Sequence, residues 1–488
     1  MRGWLAALAV AVLWGLGPAL PAWLQGELIG SPWTDLYPSV WGLWAFASDQ
    51  PGWPTTTTQL AAPEGMPFYY SSPLHGWLAA PLLPWLGIVH TWNLSVVAAR
   101  VATVLCAFGA ARAWGLKGPG ALFAATAYAC SPFFHGYAVE GIVEGLDGWT
   151  LACFLWAFKA RRSGWAILAF GLTLLSSWYL GAVACFIALF LGPRAWALAI
   201  GGLLVALPGL TGFLGFADGV GPLDPAIRRA MGTQIGPWRP GVLSGENPFA
   251  MTSWVGLLLP VLAAFQARRW PKIAAAAGVF FLLSFGWGPW FELPPLSAIR
   301  FPYRFHAGTL LCLALLAGAQ VQRWSWGWLL TPLLLLESLL LSPIEPLLPA
   351  APSTLEPVYA DLSGQVLLDI PGPLSMPPGQ MNRSRPRARW FLYQQVGHGM
   401  GSPWVPDFNS VSQVGDDGLD SVRALDPLAQ QPLPEALHIP ASVDIIVLHP
   451  RELSGRAQDA RAHLSEVGWR KHRSSSDGAH EVWLPATN

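Results

Sequence analysis

The chain has 488 residues, 53% of them hydrophobic and only 11% charged, with 28 basic side chains balancing 28 acidic ones. An ordinary soluble domain carries roughly 25% charged residues, so a water-facing surface along most of the length is excluded. Long apolar runs recur from residue 4 to residue 342. A transmembrane barrel would alternate in segments of about ten residues. These runs are continuous and about 15–21 residues long, which suits membrane-crossing helices.

In chain order, spans are expected near 4–25, 93–113, 118–136, 147–160, 165–177, 178–193, 195–215, 251–267, 272–289, 305–321 and 324–342. This predicts a polytopic α-helical membrane protein of about eleven spans. Arg2 and the apolar stretch after it read as a retained first helix rather than a cleaved signal, because no clean A-x-A site follows. Arg112, Lys117, Lys159, Arg161, Arg162, Arg194, Arg268, Arg269, Lys272 and Arg323 fall at alternate connections that hold no acid. The positive-inside rule makes those connections cytoplasmic. The opposite connections carry Glu27, Asp35, Asp49, Glu64, Glu140, Glu144, Asp147, Asp218, Asp224, Glu246 and Glu292, together with Arg228, Arg229, Arg239, Arg300 and Arg304. The run 72–90, marked by Pro73, Pro81 and Pro84, reads as a helix in the outer interface, with a twelfth span as the alternative.

After Pro343 the composition turns polar. "GQVLLDIPG" and "ASVDIIVLHP" read as strands, "SGRAQDARAHLSEVGW" as an amphipathic helix and "AHEVWLP" as a last strand. The expected division is a transmembrane domain over 1–342, with an outer loop at 26–92, and an extracytoplasmic α/β or α+β domain over 343–488. All five cysteines lie in apolar runs, so no disulfide framework is legible.

Three groups collect on the outer face. Asp35 precedes a short aromatic helix. Glu140, Glu144 and Asp147 follow the third span. Arg300 and Arg304 stand ahead of the span at 305–321. Carboxylates at an interface serve as general bases or metal ligands, and paired guanidinium groups suit a phosphate. Each group also has a plainer reading: helix capping for Asp35, solvation for the second-loop acids, and nonspecific lipid anchoring for the arginines. Arg100 and Glu337 fall inside spans, within snorkelling reach of an interface. His75, His135 and His306 draw no role.

The order of "TDLYPSVWGLWAF", "FYYSSPLHGWLAAPLLPWLG", "ALFAATAYACSPFFHGYAVEG", "LLSSWYLGAVACFIALFL", "IRFPYRFHAGTLLCLALLAG", "LLDIPG", "WFLYQQVGHGM" and "VDIIVLHP" resembles the GT-C superfamily of membrane glycosyltransferases, and within it the YfhO-like bacterial membrane proteins. The resemblance covers nearly the whole chain. It implies an inverting transfer of a sugar from a polyprenyl-phosphate carrier to a glycan, lipid or protein acceptor at the outer face of the bacterial inner membrane. Asp35 is implied as the general base or acceptor-orienting carboxylate, and the family's second-loop acids map loosely onto Glu140, Glu144 and Asp147; by their own chemistry Arg300 and Arg304 are the expected phosphate ligands. Membrane lipid is an expected partner and nucleic acid is not. Asp35 has no adjacent acid to make a DxD or ExD pair, which leaves a divalent metal open and assigns no metal ligand. A non-catalytic envelope scaffold and a transporter of lipid-linked glycans are the competing readings.

Overall fold

The computed structural model describes residues 2–48, 56–210, 228–229, 231–233, 254–292, 296–372, 381–404 and 419–486, with backbone alone at 298 and 381–388. Asp49, Asp218, Asp224, Arg239 and Glu246 lie outside the described residues. Contacts divide the chain into two units. One takes the described residues of Met1–Ser31, Ser71–Thr211 and Gly221–Pro352; the other takes those of Pro32–Tyr70 and Ser353–Asn488. The loop segment 32–70 thus groups with the C-terminal residues.

The first unit is helical. Most of its helices start within two residues of an expected run, though Leu258–Ala267 and Leu330–Leu341 start later, and prolines and glycines cut several shorter than expected. The run 4–25 divides around Pro18 into Arg2–Leu16 and Leu20–Leu24. The run 118–136 divides at Cys130–Ser131 into Gly118–Ala129 and Pro132–Glu140. Proline lacks an N–H and is at home in a first helical turn, so Pro132 opens a helix where a continuous one was read. Gly141, at φ 64°, closes it in the left-handed conformation.

The run 72–90 is set off from the span that follows it. Helix Pro73–Ala79 and a tight turn at Ala80–Leu82 lead into the first turn of Leu83–Ala113, and Gly87, at φ 68° and ψ 172°, is non-helical and divides that helix in two. Among the described residues, Pro73–Ala113 and Pro302–Val321 are long and apolar enough to cross a bilayer. The remaining apolar helices have 10–17 residues, and 14 residues rise only about 21 Å. The outside of the unit is apolar all the same. Leu5, Leu13, Leu24, Trp85, Leu204, Phe265, Leu282 and Leu340 are each more than half exposed, far more than a water-soluble monomer usually shows. Two short strands, β1 (Leu28–Ile29) and β4 (Ala350–Ala351), pair antiparallel within this unit.

Inside, small residues let helices approach. A Cβ on Gly120 would run into the carbonyl oxygen of Gly318, and one on Gly318 into that of Gly120. Backbones this close are held by dispersion contacts that any side chain would break.

In the second unit, β2 (Thr56–Thr57) and β3 (Met66–Pro67) form a small hairpin. A four-stranded sheet has the order β5 (Leu367–Ile370), β6 (Ile445–Leu448), β8 (Glu481–Pro485), β7 (Trp469–Ser474). β5 and β6 are parallel, and the other pairings are antiparallel. Both faces of β5 and β6 are covered, which is why each reads as an unbroken apolar run. Leu368, Ile370, Ile446, Leu448 and Trp483 join one cluster; Leu367, Ile445, Val447 and Val482 join the other. Strand β7, WRKHRS, was not foreseen. It is an edge strand whose residues are mostly exposed, so no hydrophobic alternation marks it, and its charges discourage pairing with another chain.

Helix Leu36–Ser48 packs on helix Met381–His398. Tyr37 meets Trp390 and Tyr393 at ring separations of 5.4 and 5.0 Å. Trp41 Nε1 donates to Gln395 Oε1 at 2.7 Å.

Two outcomes are expected. Gly120→Leu costs about 1–3 kcal/mol by overpacking, read as a lower thermal midpoint in detergent. Gly164→Leu, where no atom lies within 4 Å of the new carbon, leaves the midpoint unchanged. Burial pushes the His398 imidazole from 6.5 down to about 4. Between those values the unfolded chain binds a proton that the folded chain refuses. His398 therefore contributes its full stability above pH 6.5 and loses it as pH falls toward 4. Hydrogen exchange along 390–400 between pH 7 and 4 measures this loss, and His398→Asn reduces it.

Candidate functional site

Arg304 is a deeply enclosed cation of the helical unit. It sits in a short turn, Pro302–Phe305, ahead of helix His306–Val321. Its guanidinium lies 4.3 Å from the Tyr179 ring, 4.8 Å from Phe301, 5.7 Å from Tyr303 and 5.9 Å from Tyr137. One Nη1 meets Glu144 Oε1 at 3.3 Å. The Arg304 side chain is 6% exposed and that of Glu144 is 22% exposed. Four ring faces and one carboxylate replace the water that the cation gave up.

The second-loop acids have separate fates. Glu140 ends helix Pro132–Glu140, is buried, and stands within electrostatic reach of Tyr303. Glu144, on the turn Val143–Leu146, takes Arg304. Asp147 is also buried, but its carboxylate accepts from Trp149 Nε1 at 2.8 Å and from Ser72 Oγ at 3.5 Å. That pattern is structural: Asp147 fixes the start of helix Gly148–Lys159 against the segment before Pro73. Arg300 faces the Phe301 ring at 5.4 Å, so one ring carries both arginines.

Asp35 belongs to the other unit. Its carbonyl accepts from Ser39 N at 2.9 Å, opening helix Leu36–Ser48. Its carboxylate accepts from Arg389 Nη2 at 2.9 Å, while Arg389 Nη1 donates to the Trp33 carbonyl at 2.5 Å. The Arg389 side chain is 13% exposed and that of Asp35 is 53% exposed. The arginine is thus the fixed partner, and the acid presents a face to solvent.

Two charges taken as snorkelling side chains are anchored inside instead. Arg100 is buried and donates to the Trp14 carbonyl from Nε at 3.2 Å and Nη2 at 2.8 Å, while its Nη1 meets His135 Nδ1 at 3.2 Å. A guanidinium only donates, so His135 Nδ1 accepts and its Nε2 carries the hydrogen, given to the Glu345 carbonyl at 2.7 Å. Glu337 accepts from Leu257 N at 2.6 Å and Leu258 N at 3.3 Å, capping helix Leu258–Ala267. Their position inside apolar runs was the available signal. Arg389 and the tyrosines around Arg304 left none. Among the described residues no group of three or more His, Cys, Asp or Glu is arranged to hold a metal ion.

Solved structures supply the fold. The chain aligns over 100% of its length with 40% of the arabinofuranosyltransferase AftD from Mycobacteria, at a TM-score of 0.61 and 17% identity. It aligns over 99% of its length with 74% of the Archaeoglobus fulgidus oligosaccharyltransferase tethered to an acceptor peptide, at a TM-score of 0.50 and 12% identity. The chain thus spans about 40% of the length of AftD. No family model and no curated protein sequence matches it. The chain shares its fold with these solved structures.

The Arg304–Glu144 pair is expected to behave as a unit. Arg304→Met or Glu144→Gln alone leaves a buried charge unmatched and costs about 3–5 kcal/mol. The double variant recovers part of that loss. A double-mutant cycle on thermal midpoints in detergent measures the coupling.

Proposed function

We propose that the chain is an inverting glycosyltransferase of the bacterial inner membrane, moving a sugar from a polyprenyl-phosphate carrier to an acceptor hydroxyl on the outer face. The observation that supports this reading is the alignment of the whole chain with 40% of the arabinofuranosyltransferase AftD. The apolar exterior of the helical unit supports its place in a bilayer, with about eleven spans and the C-terminal residues outside. The YfhO-like motif order supports the narrower assignment.

In the proposed reaction the acceptor oxygen attacks the anomeric carbon. The bond from that carbon to the phosphate oxygen breaks, and polyprenyl phosphate leaves with the electron pair. Asp35 takes the acceptor's proton. Arg300 and Arg304, both against Phe301, face the growing charge on the leaving phosphate. Glu144 tempers the Arg304 charge before the carrier arrives, and Glu140 and Asp147 hold the surrounding turns. Among the described residues Asp35 belongs to no metal-holding group of acids, and it is bonded to a guanidinium. That donor set does not fit a divalent ion, so no step is routed through one.

One observation favours a non-catalytic scaffold: Asp35 and Arg304 each already have a partner of opposite charge. The two readings separate in one experiment. Full-length protein in nanodiscs is incubated with membrane extract as acceptor and a panel of radiolabelled undecaprenyl-phosphate sugars. Transfer of one sugar is expected, with Asp35→Asn lowering the rate by roughly 10²–10⁴-fold while the variant keeps its thermal midpoint. Consumption of none of the sugars supports the scaffold. Full activity in Asp35→Asn reduces Asp35 to a structural acid.

A further inference from the structure

The sheet of the second unit carries a chain of ionisable groups that the transfer reaction does not use. Asp369, on β5, accepts from Tyr359 Oη at 2.7 Å and contacts His449 Nε2 at 2.9 Å. His449 follows directly on β6. Its Nδ1 lies 3.0 Å from Nδ1 of His480, which stands directly before β8. His480 Nε2 lies 3.2 Å from Glu356 Oε2. The His449 side chain is 6% exposed, that of Asp369 8%, and that of His480 17%.

Hydrogen-bond accounting gives this chain an unusual property. Each histidine points Nε2 at a carboxylate, and a carboxylate only accepts, so each Nε2 carries a hydrogen. A neutral imidazole has a single N–H. Both Nδ1 atoms are then bare lone pairs, and they face each other at hydrogen-bond distance. Two lone pairs at that separation repel. One cation between them turns the repulsion into a bond.

We propose that His449 and His480 form a cation site that holds one proton, shared between the two Nδ1 atoms at neutral pH. Asp369 and Glu356 flank the shared charge, one behind each ring, and the pair with its carboxylates carries a net charge of minus one. The other groups around it fit. Phe391 lies against His449 at a ring separation of 4.9 Å. His398 stacks on Tyr359 at 5.1 Å, and its Nδ1 accepts from Met400 N at 3.1 Å, so it is a neutral ring. Asp477, in the turn between β7 and β8, is occupied by Ser475 Oγ, the Ala479 N–H and Arg451. A second proton places two N–H groups nose to nose. Burial and a charge on His449 both oppose the protonation of His480, while Glu356, Asp477 and Asp369 favour it, and burial wins. Acid therefore drives the end of β6 from the start of β8, where Leu448 pairs with Glu481. The site makes this sheet responsive to the pH of the medium that bathes it, and it stands whether or not the transferase reading holds.

The test uses full-length protein in nanodiscs with ¹⁵N-labelled histidine and solid-state NMR. At pH 7 the expected spectrum contains one hydrogen-bonded Nδ1–H that couples two rings, each protonated at Nε2. His480→Gln, at the more accessible end, removes that signal, and so does His449→Gln. Glu356→Gln keeps the bulk of the side chain and lowers by about one unit the pH above which the signal is lost. Hydrogen exchange gives an independent reading. The amides of 446–448 and 481–483 exchange at least tenfold faster at pH 5 than at pH 7, after correction for intrinsic rates. Two neutral rings with no bridging proton at pH 7 overturn the proposal. So does stabilisation by zinc(II) at pH 7 that both glutamine variants abolish, which would make the bound cation a metal.

Discussion

A charge among apolar helices has to be matched where it stands, because moving it back to water would unfold the region around it. Three buried charges of the helical unit show how varied the chemistry of matching is. Arg304 is met by a carboxylate and four aromatic rings. Arg100 is met by a backbone carbonyl and a neutral histidine. Glu337 is met by two backbone N–H groups at the start of a helix. Each solution ties segments far apart in sequence: 304 to 144, 100 to 14 and 135, 337 to 257. Close packing through Gly120 and Gly318 is compatible with many helix arrangements. The matched charges admit few, since a slip by one turn leaves an ion bare.

The same requirement shapes the chemistry proposed for the chain. A guanidinium shielded by Glu144 is a weaker trap for the carrier phosphate before reaction than a bare one would be. It can still respond as negative charge grows on the leaving group, which is when stabilisation raises the rate. Asp35 is placed on the same principle. Its partner Arg389 is largely buried while the acid is half exposed, so the carboxylate is aimed without being sealed.

What the sequence disclosed follows from where the information resides. Apolar runs located the helices, since burial and lipid exposure both demand apolar side chains. Their ends were misplaced at Pro18 and Ser131, where a single residue decides. The segment 72–90 is expected to stand apart from the span after it, and Gly87 does divide the helix there, but its prolines do not break it. Pro81 and Pro84 instead fall in first turns, where a missing N–H costs nothing. LLDI and IIVL were legible as strands because both of their faces are covered. WRKHRS was not, because an exposed edge imposes no pattern. Among the site residues, the identities of the ionised groups could be read directly but their partners could not. Nothing local to "TDLYPSV" points to Arg389. The cage of Tyr137, Tyr179 and Tyr303 is assembled from three segments whose tyrosines look like ordinary membrane aromatics.

The bond between Asp35 and Arg389 joins residues 354 positions apart, and Trp41 and Gln395 lie equally far apart. During synthesis the segment 32–70 leaves the ribosome well before the surface it packs on, because the partners are 354 residues apart. Until then its aromatic helix has no companion and must wait at the bilayer surface or in the keeping of a chaperone. A chain released prematurely, anywhere before residue 381, would display Tyr37 and Trp41 uncovered.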